Sequence, residues 1–343
     1  MNEQANNQCF EPENPNIGAV GSWGHQDESD RVKGFYTSVI TPQSLLALQK
    51  FNAQGMALTL ELGASRTIGR AIIDNNALAE ASFLPFTPEA IIPLSARWQS
   101  SSLCYFGQIS PERTCSPETE KNLNHIVDNV LTSETLGAYW QAPYLLNNGF
   151  IIEQLHANLP PRDFNRLEEI YRQSFPAYLV DMKASAIRNM YATPEATAFG
   201  IRSNEGNLVA AISLELATIS LGNRELRLAE MGDFATAQGH RRQGLNTFLR
   251  AHTLQYLLEV WDMDVVVVEA NALSPGANKK NSCLGLEYFG RQPLNCLLAA
   301  DPDSEVISRD TLPEGFQNFS PLNVWAQSAD RLRQFIHPIG EPI

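Results

Sequence analysis

The segment 226–290 constrains the fold of this chain most strongly, because strand and helix patterns alternate in it around a basic turn. The turn Arg241-Arg242-Gln243-Gly244 directly precedes a segment with helical spacing over 244–260, and a strand pattern follows at 264–270. A helix N-terminus leaves backbone N–H groups unpaired and carries partial positive charge, which suits a phosphate. Gly244 removes the side chain where a ligand approaches the backbone, and the arginines add charge. The turn therefore predicts a phosphate-binding site.

Composition and charge exclude several classes of partner. The chain has 343 residues, which favours two domains, and 43% of them are hydrophobic, enough for ordinary cores. The net charge of −13 argues against nucleic acid or an anionic membrane surface as a partner. No apolar run reaches the roughly 20 residues of a membrane span, and the N-terminus lacks the pattern of a secretory signal. With five cysteines in no framework spacing, we expect a cytoplasmic protein.

The composition along the chain predicts a polar arm and two folded units. Residues 1–34 are polar and proline-containing, and we expect a flexible arm there. Residues 35–145 are predicted to form a small α/β unit, and residues 146–343 a second, larger one. Within the first unit the patterns predict helices and one strand as follows: helix 42–53, strand 56–62, helix 67–73 and helix 122–131.

The second unit has the more regular pattern. Asp163 is a candidate cap for a helix, and Ser203-Asn204-Glu205-Gly206 indicates a hairpin between two strands. Helices are predicted from about 163 and at 183–191, 244–260 and 275–284, and strands at 196–202, 207–216, 225–233, 264–270, 291–299 and 318–326. The predicted order is two helices, three antiparallel strands, helix, strand, helix and two strands.

This order, with the basic turn after its third strand, resembles the GNAT superfamily of acetyl-CoA-dependent N-acetyltransferases. The family loop is Q/R-x-x-G-x-G/A; Arg241 and Gly244 match it, and Asn246 departs from its last position. The turn Gly285-Leu286-Glu287 adds to the match. The resemblance implies an α/β fold in which a mixed, mostly antiparallel sheet is flanked by helices. It also implies acetyl-CoA as the acetyl donor, and the first unit is interpreted as a degenerate GNAT-like half.

A narrower resemblance, over roughly 163–327, is to the β-lysine N-acetyltransferases. It rests on three segments: Ala229-Glu230-Met231-Gly232-Asp233-Phe234-Ala235-Thr236, the run from Ala270 to Asn278, and Pro321-Leu322-Asn323-Val324-Trp325. Gly232, Asn271 and Ala277 depart from the residues of that family. The resemblance implies a small amine or amino acid as acceptor, with a β-lysine-like ε-amine as the specific candidate.

Glu230 is the candidate general base. On a strand it shares a face with Leu226 and Leu228, so we expect partial desolvation and a raised pKa. The alternative is that Glu230 only pairs with a cation such as Arg227 or a structural lysine. Asp233 is the second catalytic candidate: it either orients the substrate ammonium or binds its own neighbouring backbone.

The resemblance also implies the residues that hold acetyl-CoA. The strand containing Glu230 would splay from the strand at 264–270, and backbone N–H groups near Phe234, Ala235 and Thr236 would bind the pantetheine arm and the carbonyl. The phosphates would lie against Arg241, Arg242, Gln243, Gly244, Leu245 and Asn246. Ser274 and Asn278 would contact pantetheine or substrate, or serve only in helix capping and packing. Many family members have a tyrosine as general acid where this chain has Asn281.

Two further functions and several partners follow from the same patterns. The histidines are scattered without ligand spacing, so we expect no metal. One alternative is a GNAT acyltransferase acting on a protein or a biosynthetic intermediate. Another, of a different class, is a catalytically silent acyl-CoA sensor or scaffold. The first unit is expected to cover the acceptor pocket or to mediate a homodimer.

Overall fold

A computed structural model describes residues 21–26, 31–64, 66–80, 87–94, 98, 101–109, 116–132, 149–175, 182–193, 196–221, 224–297 and 319–336. The strands in this part of the chain are β1 Gly21–Gln26, β2 Arg31–Ile40, β3 Arg66–Asp74, β4 Thr87–Pro93, β5 Ser101–Ile109, β6 Ile151–Leu155, β7 Ala196–Arg202, β8 Leu208–Leu221, β9 Arg224–Thr236, β10 Val265–Asn271, β11 Glu287–Leu297 and β12 Phe319–Ser328. The helices are α1 Leu45–Glu61, α2 Asn75–Glu80, α3 Pro117–Leu131, α4 Pro161–Ser174, α5 Ala184–Met190, α6 Leu245–Glu259, α7 Pro275–Cys283 and α8 Ala329–Ile336.

The described strands form one sheet in the order β1-β2-β3-β5-β4-β11-β12-β10-β9-β8-β7-β6. The β2/β3 and β9/β10 pairs are parallel, and the other neighbours are antiparallel. Helices pack on this sheet, so the predicted mixed α/β architecture is confirmed. The two halves of the chain are therefore joined through a continuous sheet.

The sheet joins its two halves where β4 meets β11. Gly290 is opposite Ala90, and a Cβ on Gly290 would lie 2.1 Å from the carbonyl oxygen of Glu89. Its φ of +152° is also a value that residues with side chains rarely adopt. Only glycine therefore allows the two strands to approach each other this closely.

The sheet curves so that strands of its two halves pack against each other across a shared core. Side chains of β3, β4 and β5 pack in one apolar cluster with side chains of β8, β9, β10 and β12. On the outer faces, α1 covers β2, β3 and β5, whereas α6 and α8 cover the strands of the second half. The inward face of β9 therefore lies against the first half of the chain.

The second half follows the sequence prediction closely. The hairpin of β7 and β8 is confirmed, as are the helices and strands that follow it. Asp163 lies in the first turn of α4 rather than at its N-cap, which is Pro160, and it pairs with Arg202. The apolar segment 226–290 contributes three strands and two helices because its periodicity matches those elements.

Three predictions for the first half are wrong. Residues 56–61 belong to helix α1 instead of a strand, with Leu62 as the C-cap, and residues 67–73 belong to strand β3 instead of a helix. Residues 21–26 and 31–34 form strands of the sheet, whereas a flexible arm was predicted. The apolar run of β3 is buried on both faces, so its periodicity did not distinguish a strand from a helix. The boundary predicted at residue 145 lies outside the described residues.

Within the described part of the chain, no helix is long and apolar enough to cross a membrane.

Candidate active site

Strands β9 and β10 separate in the middle of the sheet. Their parallel pairing runs from Leu228 opposite Val265 to Glu230 opposite Val267 and stops there. Beyond this point β9 continues to Thr236, and β10 continues to Asn271. The predicted splay is therefore present, and it begins directly at Glu230.

A β-bulge changes the direction of β9 inside this splay. Asp233 and Phe234 lie opposite the single residue Ile212 of β8, since Gly232 pairs with Ser213 and Ala235 with Ala211. Asp233 has a φ of +50°, a conformation that costs free energy for a residue with a side chain. Bulges of this kind are frequent next to active sites, where they redirect side chains and backbone groups.

The bulged part of β9 presents backbone groups to the splay. The N–H of Ala237 donates to Val209 of β8 at 2.8 Å, so the N–H and C=O of Thr236 point to the opposite edge. Arg241 caps that carbonyl, since its Nε donates to the Thr236 oxygen at 3.2 Å. The Thr236 hydroxyl is buried without a hydrogen-bond partner among the described residues. The edge thus has donors available for a ligand.

The N-terminus of α6 lies after the basic turn. Its N-cap, Gly244, has a φ of +79°, and no side chain caps the first N–H groups of the helix. A Cβ at Gly244 would meet nothing within 4 Å. Uncapped N–H groups and the helix dipole together form a site for an anion.

The structure gives the residues of the predicted phosphate loop different surroundings. Arg241 is engaged inside the protein, because it also donates to the backbone oxygen of Gln173 at 2.5 Å. Arg242 and Gln243 are exposed, whereas Leu245 is buried in the core and can offer only its N–H. The Asn246 side chain accepts a hydrogen bond from Arg250 at 2.9 Å. Of the two arginines, only Arg242 has an exposed side chain.

Glu230 points away from α6, toward the first half of the chain. Arg70 of β3 donates a hydrogen bond to its Oε2, and Lys33 Nζ of β2 lies 3.8 Å from its Oε1. The side chains of Arg70 and Glu230 are 13% and 12% exposed. Glu230 thus pairs with a lysine and an arginine of the first half, and Arg227 is not its partner. Whether Glu230 serves only in this pairing stays open. Neither Lys33 nor Arg70 was identified from the sequence, because a pairing of distant strands leaves no local pattern.

The expected rise in the Glu230 pKa is wrong. Burial pushes this pKa upward, but the charges of Lys33 and Arg70 and the hydrogen bond from Arg70 outweigh it, so the Glu230 pKa falls to about 2. The carboxylate is therefore ionised at neutral pH and is stabilised by the two cations. It accepts a proton readily only where those cations move away from it.

Two further carboxylates lie beside Glu230. Glu215 is directly opposite it in the β8/β9 ladder, and the negative charge of Glu230 raises the Glu215 pKa. Glu269 of β10 lies 3.9 Å from Lys33, and its Oε1 has no hydrogen-bond partner among the described residues. Across from them, burial raises the pKa of Tyr105. Lys33 and Arg70 already pair with the carboxylates of this face, so a cationic ligand would compete with them.

Asp233, Ser274 and Asn278 are held by bonds within the protein. The Ser213 hydroxyl donates to the Asp233 carboxylate. Ser274 caps α7, since its hydroxyl accepts from the N–H of Ala277 at 3.3 Å. Asn278 is fully buried, and its amide makes four hydrogen bonds, to Asn271, Ser274, Asn323 and Trp325. The interpretation of Ser274 and Asn278 as capping and packing residues is thereby favoured.

No cluster of three metal-ligating side chains exists among the described residues.

No protein-family model and no curated protein matches the sequence. Solved structures with a similar chain trace include NAA60 of Arabidopsis thaliana in complex with acetyl-CoA, at 12% identity and a TM-score of 0.41, covering 53% of this chain and 99% of that one. Spermidine N-acetyltransferase from Vibrio cholerae in complex with CoA and spermine has 12% sequence identity and a TM-score of 0.40. The match covers 54% of this chain and 98% of that one. The aminoglycoside acetyltransferase meta-AAC0020 from an uncultured soil metagenomic sample has 21% sequence identity and a TM-score of 0.31. The match covers 36% of this chain and 80% of that one. At these identities and scores the likenesses add no weight to a functional assignment, which depends on the geometry.

Proposed function

We propose that this chain is an acetyl-CoA-dependent N-acetyltransferase whose acceptor is a small cationic amine or amino acid, with a β-lysine-like ε-amine as the specific candidate. The observation that supports it most is the splay between β9 and β10. An uncapped helix N-terminus lies on one side of the splay, and the carboxylates of Glu230 and Glu269 lie on the other. A donor with phosphates and a cationic acceptor would then meet at the splay from opposite faces.

The residues on the donor side fit coenzyme A. The first N–H groups of α6, with exposed Arg242 in front of them, would hold its phosphates. The free edge of β9 near Phe234 and Thr236 would bind the pantetheine amides and polarise the thioester carbonyl. Acetyl-CoA supplies the acetyl group, and the chain contributes positioning and electrostatic stabilisation.

The carboxylates on the acceptor side would hold and deprotonate the amine. A substrate ammonium in the place of Lys33 would contact Glu230 and Glu269 together, and the nearby Glu215 would add negative charge. Glu230 is the proposed proton acceptor, directly or through a water, once its pairing with Arg70 and Lys33 loosens. Asp233 stays a second proposal, for orienting the ammonium.

Two other functions predict different results. Strands of the first half cover the inward face of β9, which disfavours a protein as acceptor. The ion pairing that lowers the Glu230 pKa favours the other candidate, a silent acyl-CoA sensor, because a carboxylate with a pKa of about 2 is a poor base. A cytoplasmic location and a homodimer stay predictions.

The release of CoA from acetyl-CoA tests the proposal, measured with a panel of β-lysine, lysine, polyamines and short peptides. We expect turnover with one or more small amines and little with peptides, and a much lower rate for Glu230→Gln. Binding of acetyl-CoA without turnover of any amine would favour the sensor. Turnover of peptides alone would favour a protein acceptor, and absence of acetyl-CoA binding would overturn all three functions.

A further inference from the structure

Arg250 is a buried arginine on the face of α6 that is turned toward the splay. Arg250 is 3% exposed. The central carbon of its guanidinium lies 3.2 Å from the ring centroid of Phe234, in the bulge of β9. Its Nε donates to the side-chain oxygen of Asn246, and its Nη1 donates to that of Asn281 on α7. The two asparagines therefore fix the plane of the guanidinium between α6, α7 and the bulge.

No acidic group of the described chain compensates this charge. Burial alone lowers the pKa of Arg250 to about 9, and burial together with the charge of Arg250 lowers the pKa of Lys280 to about 8. The amide nitrogen of Asn281 is also buried without a hydrogen-bond partner there. A buried, unneutralised cation costs stability, and its environment therefore favours an anion.

We propose that Arg250, positioned by Asn246 and Asn281, stabilises the thiolate that leaves during acetyl transfer. The inference rests on the proposed function and deepens it. The proposed function places the phosphates at the N-terminus of α6, at Gly244. Arg250 lies further along this helix, beside Phe234, which the proposed function places next to the thioester. The anion that develops at the thioester is the sulfur.

The reaction leaves a negative charge on sulfur that such a group would stabilise. As the acceptor nitrogen bonds to the acetyl carbon, the carbon–sulfur bond breaks and its electron pair stays on sulfur. The proton lost by the amine goes to Glu230 or to solvent, and Arg250 keeps its own protons. A free thiol has a pKa near 8.5, so a nearby guanidinium favours its ionised form at neutral pH.

The test compares binding of CoA with binding of desulfo-CoA, which lacks only the sulfur, by calorimetry at pH 8.5. The wild-type protein should prefer CoA by about tenfold, the scale of a hydrogen bond to a charged group. In Arg250→Met this preference should disappear while the affinity for desulfo-CoA stays the same, and Arg250→Lys should keep part of it. Arg162→Met, at an exposed arginine, serves as the control.

Two further readouts separate this role from a structural one. Arg250→Met removes an unneutralised buried charge but leaves Oδ1 of the buried Asn281 unpaired, so its Tm should differ little from that of the wild type. Its kcat should fall at least tenfold with little change in the KM for acetyl-CoA. If Arg250→Met still prefers CoA over desulfo-CoA as strongly as the wild type, the proposal is overturned. An equal loss of affinity for both ligands would also overturn it, and would assign Arg250 to a phosphate. If neither ligand binds the wild-type protein, the proposed function itself fails.

Discussion

The guanidinium of Arg70 on β3 donates a hydrogen bond to the carboxylate of Glu230 on β9, across 160 positions of sequence. This contact joins the first half of the chain to the strand that opens the splay. It sets the charge state of the candidate base, and it makes the first half part of the site.

Removing Arg70 should destabilise the fold and raise the Glu230 pKa. Arg70→Met leaves a mostly buried carboxylate with Lys33 as its remaining cation, and we expect a loss of about 3 kcal/mol in the free energy of unfolding. Urea denaturation measures this loss. The matched control is Arg331→Met, which breaks an exposed pair with Glu287 and should cost less than about 1 kcal/mol. Equal costs for the two variants would show that the buried pair is not stabilising.

The same pair predicts how stability depends on pH. The Glu230 pKa is lowered from 4.5 to about 2 on folding, so its contribution to stability is fully present above pH 4.5 and is lost as the pH falls toward 2. Glu230→Gln should therefore reduce the difference in unfolding free energy between pH 7 and pH 3. Urea denaturation at both pH values measures it, with Glu205→Gln, at an exposed hairpin position, as control. An unchanged difference in Glu230→Gln would contradict the lowered pKa.

Gly244→Ala should weaken acetyl-CoA binding beyond its cost in stability. The φ of +79° at Gly244 recurs at Gly206 of the β7–β8 hairpin, and a Cβ meets nothing within 4 Å at either position. Both alanine variants should thus lose about 1 kcal/mol of stability, and only Gly244→Ala should lower the affinity. Calorimetry with acetyl-CoA checks this. If Gly244→Ala and Gly206→Ala bind acetyl-CoA with equal affinity, the phosphate site lies elsewhere.

Asn278→Leu should unfold the site rather than impair one contact. The change leaves the Asn323 amide and the Trp325 indole N–H without their acceptor, and we expect a loss of about 3 kcal/mol or more. Ser274→Ala removes one N-cap bond and should cost about 1 kcal/mol. Thermal unfolding of both variants tests this ranking, and a smaller cost for Asn278→Leu would contradict it.

The sequence predicted the donor side of the site better than the acceptor side. Gly244, the helix after it and the strand with Glu230 are close in sequence, so local patterns reveal them. Lys33, Arg70 and Glu269 meet Glu230 only through the pairing and curvature of distant strands, which no local pattern encodes. Because the sequence does not place Lys33 and Arg70 beside Glu230, it predicts a raised Glu230 pKa, whereas these cations lower it.

Arg250 was missed for a different reason. It lies among the buried residues of α6, where leucine and phenylalanine are the usual side chains, and arginine is typical of a solvated face. The signal available in the sequence was an arginine at a helix position that the periodicity assigns to the core.

Amide hydrogen exchange with and without saturating acetyl-CoA tests the proposed donor site. We predict slower exchange at residues 234–236 on the free edge of β9 and at residues 245–247 at the start of α6, and no change in β7. Binding of acetyl-CoA with protection confined to other parts of the chain would contradict the assigned donor site. Absence of any binding would contradict the proposed function.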